Sequence, residues 1–283
     1  MKTILRFIIP LILFIISSAQ LSGQHLDEVF YSKQFTEVKG NVNKIMITNT
    51  DSKGNETSLS IYSLDENKLV TTCYREFKDN TVTSTYSYDE DGMIKQIHES
   101  VGLVIDYEWS DNKKICDAYY TLPSKPKFLK CRLVFDEKNY LKERTKYLNE
   151  SDNSSVSTQY QYSSGKIIKE VKDGVITKEN LYAEDALYKT ILYKDGMQLS
   201  YTTFQKLDNQ TTQQIIYHDS TAVSMMIEYT DEKIQKIDNY SFDQEKNLTL
   251  TRTTTTSYDT LGNVASIEMA AKDVVSKTDY KYY

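Results

Sequence analysis

Tyr86-Ser-Tyr88-Asp89-Glu-Asp-Gly92-Met-Ile94 is the stretch from which the fold can be read. Its alternation places Tyr86 and Tyr88 on one face of a strand. Asp89 can accept a bond from its own backbone two residues on and so open a turn. Gly92 takes a positive φ without steric cost and closes that turn. The chain then returns through Met93-Ile-Lys-Gln-Ile97. The stretch is therefore one β-hairpin.

It recurs as Tyr160-Gln-Tyr162-Ser163-Ser-Gly165-Lys-Ile167 and as Ser257-Tyr258-Asp259-Thr-Leu-Gly262-Asn-Val264. Weaker copies centre on Asp51, Asp65, Asp111, Asp136, Asp195, Asp231 and Asp243. Where glycine is missing, Asn139 and Asn247 are the residues next best suited to a left-handed turn position. The return arms carry aliphatics three apart: Ile94 and Ile97, Ile234 and Ile237, Val264 and Ile267. In a regular strand that spacing falls on opposite faces. Either a bulge shifts the phase or both faces are partly covered, and both readings stand.

The 23 tyrosines and abundant threonine suit a pleated, half-buried surface. Repetition at a short period marks one supersecondary unit used many times. The expected fold class is all-β, with consecutive antiparallel hairpins forming a curled or solenoid-like repeat sheet over residues 40–283. Gly40 to Ile45 reads as the first strand, after a lead segment 20–39. Helical signals are few: loose apolar spacing over Leu26 to Val38, and a turn over Ala183 to Thr190. Asn149 to Ser157 is the most polar stretch and reads as a long loop. An open sheet would expose edge groups, which Lys277 and Lys281 in the last segment can guard.

Residues 1–19 read as a signal peptide, with a cut as late as 23. Lys2 and Arg6 precede the apolar run Phe7 to Ile16, and Ser17-Ser18-Ala19 supplies the small residues. The run is shorter than the ~20 residues that span a bilayer. The expected location is outside the cytoplasm, in the periplasm or at the cell surface. The net charge of −6 comes with scattered lysines and no basic stripe, which argues against nucleic acid as a partner. Cys73, Cys116 and Cys131 are the only cysteines. Cys116 and Cys131 flank the turn Thr121 to Pro126, so they either bridge across a hairpin or serve as small buried hydrophobes.

The Tyr-x-Tyr-Asp-x-x-Gly-x-Ile wording at Tyr86 to Ile94 resembles the YD repeat of Rhs-like proteins, and Ser257 to Val264 is similar. That resemblance implies consecutive hairpins in one curling sheet and a role in the cell envelope, or in enclosing or presenting another polypeptide. It implies no catalytic residues.

The chemistry-bearing residues point the same way. His25, His98 and His218 sit in no metal-spaced or nucleophile motif. Asp89-Glu90-Asp91-Gly92 starts like a calcium loop, but Ser100 stands at the twelfth position where a glutamate belongs. The carboxylates lie in turns. No enzyme activity and no cofactor or metal is expected. The binding candidates are the aromatics Tyr107, Trp109, Tyr160 and Tyr162, whose flat faces could hold sugar rings. The competing reading makes them cross-strand ladders. The expected function is a monomeric, non-enzymatic binding or scaffold module. Its expected partner is an envelope protein or glycan, without nucleic acid and without a membrane span. A carbohydrate-binding or carbohydrate-processing protein is the first alternative. An outer-membrane β-barrel is the second, suggested by the terminal aromatic strand Asp279 to Tyr283.

Overall fold

The computed structural model describes residues 35–78, 80–148, 154–231, 233–272 and 274–283. The signal peptide, most of the 26–38 spacing and residues 149–153 of the polar stretch lie outside these residues. The strands are β1 (Lys44–Thr50), β2 (Glu56–Leu64), β3 (Val70–Phe77), β4 (Asn80–Tyr88), β5 (Ile94–Glu99), β6 (Val104–Trp109) and β7 (Ile115–Thr121). They continue with β8 (Phe128–Phe135), β9 (Leu141–Tyr147), β10 (Ser155–Ser163), β11 (Lys166–Lys172), β12 (Val175–Ala183), β13 (Ala186–Lys194) and β14 (Met197–Lys206). The last six are β15 (Thr211–His218), β16 (Thr221–Thr230), β17 (Ile234–Phe242), β18 (Leu248–Tyr258), β19 (Val264–Ala271) and β20 (Val274–Tyr282). No helix occurs among the described residues.

Each strand pairs antiparallel with the next, and β20 also pairs with β1, setting Met46 opposite Lys281 and Ile47 opposite Tyr280. The hairpin sheet is therefore a closed barrel. Closure corrects one expectation. Lys277 and Lys281 guard no free edge; they sit in the ladder opposite Thr50 and Met46. Alternation turns both lysines outward to water while Tyr280 and Tyr282 turn inward.

The aspartate turns follow one geometry. The Asp89 Oδ1 accepts from the N–H groups of Asp91 and Met93, and Gly92 N–H donates to the Asp89 carbonyl. The same side-chain bonds recur at Asp51, Asp65, Asp136, Asp243 and Asp259. The bonds fix the left-handed residue three positions after the aspartate. That position is Asn139 after Asp136, but Lys246, not Asn247, after Asp243. Asn247 instead donates its N–H back to Asp243. Elsewhere two-residue turns with positive φ at both positions join the strands, as at Ser164-Gly165 and Asp195-Gly196. Glu184-Asp185 is another, so 183–190 forms a hairpin and β13 rather than a helical turn. Ser155 to Ser157 likewise open β10 rather than extending the polar loop. The first strand starts at Lys44, later than expected, because Lys39 is tied to Asn263 by two bonds at the rim.

Bulges settle the three-residue aliphatic spacing. Ser87 pairs with Gln96 and Tyr88 with Ile94, so Lys95 is the extra residue. Ile94 and Ile97 thereby both turn inward and are buried. Val264 and Ile267 are re-phased the same way around Ala265. Ile234 and Ile237 have no bulge between them. There Ile234 faces out and Gln235 takes the buried inward place.

The barrel is unequal in its packing. Ladder partners share a face, which traces an inward row through Ile45, Tyr62, Cys73, Ser84 and Glu99. Around it Val42, Ile45, Leu64, Val70 and Cys73 form one apolar cluster, and Ile94, Ile97, Ile105, Cys116 and Leu133 anchor another. Both belong to the β1–β8 half. From β9 onward the buried residues are mainly polar, among them Asn180, Ser200, Gln235, Thr254 and Thr256.

The turn carboxylates give the fold an acid limit. Backbone N–H groups of Met93, Gln210, Lys233 and Asn247 lead in holding Asp89, Asp208, Asp231 and Asp243 below the usual aspartate value. A carboxylate depressed by folding stabilises the fold above its unfolded value, about 3.9. That stabilisation disappears as pH falls through the folded value. The thermal midpoint is thus expected to fall below about pH 4, and Asp89→Asn to make that fall shallower. A midpoint unchanged between neutrality and acid would contradict this account.

Candidate functional site

The four candidate aromatics all lie on inward rows. Tyr107 pairs with Ala118 and Trp109 with Cys116, both buried inward positions. Tyr160 pairs with Glu170, and Tyr162 with Ile167 across a bulge. Tyr107 is buried and the other three are half-buried. Trp109 Nε1–H donates to the Ile94 carbonyl at 2.9 Å and its ring stacks on Phe135. Tyr162 donates to the Leu141 carbonyl at 2.8 Å and stacks on Tyr140. These side chains therefore do structural work inside the barrel and form no outward aromatic row.

The bonds of Trp109 and Tyr162 belong to a series. Tyr88 donates to Val70, Tyr182 to Ile167 and Tyr282 to Val264. In each case the aromatic near the end of one strand latches onto the carbonyl at the start of an earlier return arm. Burial pushes the Tyr162 and Tyr182 hydroxyls up, keeping them protonated donors. Tyr88→Phe removes a 2.6 Å bond. The expected cost is about 1 kcal/mol, read as a thermal midpoint lower by roughly 2–4 °C. An unchanged midpoint would mean that the Val70 carbonyl finds another donor.

The cysteines are three buried thiols without a bridge. Cys116 pairs with Leu133 and Cys131 with Ala118, so the two face the same way but are offset along the ladder. Burial, with Cys131 nearby, pushes the Cys116 thiol well above its ordinary value and suppresses the reactive thiolate.

Sequence reading missed the charged and polar groups on the inward face. Arg75 Nη2 donates to Ser84 Oγ at 2.9 Å and to Glu99 Oε1 at 3.0 Å, and Ser84 donates to the same oxygen. Glu99 and Ser84 are both buried, so this cluster neutralises a carboxylate inside the packed half. In the other half, Lys178 pairs with Glu170 at 3.2 Å. Asn180 donates to the Ile167 carbonyl and accepts from Thr190. Gln235 donates to Glu228 at 2.6 Å. Between β15 and β18 the inward residues Gln214, Ser224, Met226, Asn239, Ser241 and Arg252 line a groove. The sequence signal that could have found them is phase: these residues alternate with the outward ones in step with the inward aromatics.

His98 pairs with the outward Thr85, and His218 Nδ1 lies 3.2 Å from the Leu199 carbonyl. Lys113 bridges Asp89 and Asp91, so the acidic turn is closed by a cation of the protein.

The outer wall is polar in mid-strand over β6–β8 and β11–β12, whereas over β13–β16 Ile191, Tyr201, Ile215, Tyr217 and Met225 occupy the outward rows. Arg132 grips Asp117 through two 2.7 Å bonds. Lys127 joins Asp106 and Glu108, and Lys169 joins Glu179. Tyr193, foremost, and Lys169 hold Glu179 below its ordinary value.

No family model and no curated protein matches the chain. Among solved structures it is similar to TcdB2-TccC3 without its hypervariable C-terminal region, at 12% identity with a TM-score of 0.39. That match covers 79% of this chain and only 12% of the other. It is also similar to a porin-like protein from Bacteroides uniformis, at 12% identity and a TM-score of 0.31, over 86% of this chain and 98% of that one. A protein with unknown function from Bacteroides fragilis matches at 11% identity and a TM-score of 0.27, over 41% and 80% of the two chains.

Proposed function

We propose that the protein is an exported, non-enzymatic barrel of YD-type hairpin repeats that acts as a binding or scaffold module in the cell envelope. One observation carries this reading. The β10–β19 half intersperses hydroxyls, carboxamides and charges among its inward side chains, and its buried residues are mainly polar, where the other half packs two apolar clusters. A polar wall enclosed by a closed ladder is a surface for holding a ligand, and burying it against nothing would gain no stability.

The outer-membrane barrel is the competing reading, and the closed meander fits it. Such barrels carry an apolar outward band about 25 Å tall. Here Asp106, Asp117 and Arg132 face outward within strands, which favours an aqueous surround. Fractionation after expression of the full chain in a Gram-negative host tests both. Release in detergent-free periplasmic extract, with the same gel migration before and after heating, is expected. Recovery only in detergent, with heat-modifiable migration, would overturn the proposal in favour of the membrane barrel. Crosslinking in that extract, with and without added cell-wall fraction, then asks whether the protein engages an envelope component at all.

A further inference from the structure

The inward carboxylates of the barrel are not all matched by cations. Glu99 is met by Arg75 and Glu170 by Lys178. Glu228, inward and half-buried on β16, has no cation against it among the described residues. Its Oε1 accepts from Gln235 Nε2 at 2.6 Å and from Thr230 Oγ1 at 3.4 Å. Inside a closed wall, a carboxylate without a counter-charge is costly in proportion to its burial.

Its surroundings supply a second, independent observation. Gln235 and Thr254 are each 6% exposed. Gln235 Oε1 and Thr254 Oγ1 are sealed from water and have no hydrogen-bond partner. Native interiors seldom leave such atoms unpaired. Register gathers these residues in one corner of the inward face, with Thr230 opposite Gln235, Glu228 opposite Ile237 and Ile237 opposite Thr254. The Gln235 amide is aimed at Glu228 by its own bond, and the oxygen of that amide is left with nothing to accept from.

The donor set decides what belongs there. A carboxylate, a carboxamide oxygen and a hydroxyl are hard ligands, suited to hard cations. No group of three or more acidic, histidine or cysteine side chains gathers among the described residues, so neutral oxygens must do most of the holding. A water stands about 2.8 Å from an oxygen partner. A bare calcium ion sits closer, at about 2.3–2.6 Å, and so enters a corner that water does not. Magnesium keeps several of its waters and demands octahedral geometry. No sequence motif joins these residues, which lie on three strands, so the set falls outside the expectation of no metal.

We propose that this corner of β16, β17 and β18 binds a hard cation, calcium or sodium. Glu228 supplies the charge, and Gln235 and Thr254 supply neutral oxygens. The ion ties together three strands of the half whose buried residues are mainly polar. The inference stands independently of the binding-module reading.

Thermal midpoints of the full mature chain test it, after treatment with chelator and at one ionic strength. The media are choline chloride, sodium chloride, and choline chloride with about 5 mM calcium or magnesium, a level above the range of weak extracellular calcium sites. Calcium, sodium or both are expected to raise the midpoint by about 2 °C or more over choline, and whichever does so names the ion. Magnesium is expected to match choline. Glu228→Gln is expected to lose the rise, and the outward Glu268→Gln to keep it. Thr254→Val removes a hydroxyl that has no protein partner, so its midpoint in choline is expected to hold or increase while its response to the cation shrinks. That variant also serves should Glu228→Gln fail to fold. The proposal is overturned if neither calcium nor sodium raises the midpoint, if magnesium raises it equally, or if Glu228→Gln or Thr254→Val responds as fully as the unaltered chain.

Discussion

A chain ending at Lys272 is expected to lose the barrel. That cut removes β20, the strand that joins β19 to β1. Two long ladders of N–H and C=O groups then face water as free edges, which are templates for pairing with another chain. The loss is also one of packing. Tyr282 lies against the Val42–Ile45 cluster and its hydroxyl bonds Val264. Tyr282 is half-buried, so its loss costs somewhat less than the about 3–5 kcal/mol of a fully buried aromatic, against a total stability of roughly 5–15 kcal/mol for a native domain. Size-exclusion chromatography should show association that grows with concentration, and the thermal transition should broaden or vanish. A monomer with an unchanged cooperative transition would mean that the β1–β20 seam contributes little.

The second large effect tests the inequality of the two halves. Ile105 is fully buried between Ile97 and Tyr120. Ile105→Ala leaves a cavity that those partners close only in part, and the expected cost is about 2–5 kcal/mol. Ile216 lies on the same inward face but is 38% exposed. Ile216→Ala removes surface already wet, with an expected change below about 1 kcal/mol. Urea unfolding of the two variants supplies the comparison. Equal losses would mean that the β10–β19 wall is packed like the rest, and the polar-wall reading of function would fall with that result.

Local chemistry was legible in the sequence. Asp89, Asp136 and Asp259 act through bonds to residues two and four positions away, and such short-range geometry is written in spacing. Asn247 suits a left-handed position by residue type, but the loop geometry after Asp243 puts that position at Lys246. Closure was not legible, since Ile47 and Tyr280 meet only through nineteen intervening hairpin connections. The direction each face points was equally hidden. Alternation sets Tyr107 and Trp109 apart from Asp106 and Glu108, but only the closed ladder says which pair is inside. The inward place of Arg252 is hidden for the same reason: in the sequence it is one charge in a threonine run, and its ladder neighbours Asn239, Met226 and Gln214 come from three other strands.

The seam between β1 and β20 also constrains how such a chain can change length. In an up-and-down meander, direction reverses with every strand, so the first and last run antiparallel only when their number is even. Twenty satisfies that condition. Gain or loss of a single strand would bring the two ends together parallel and put every later inward residue on the wrong rim-to-rim heading. Duplication or deletion of a complete two-strand unit keeps both. Lengthening or shortening of this architecture is therefore expected to proceed in pairs of strands, each carrying its own turn, bulge and aromatic latch, with the circumference changing in steps and the closing ladder retained.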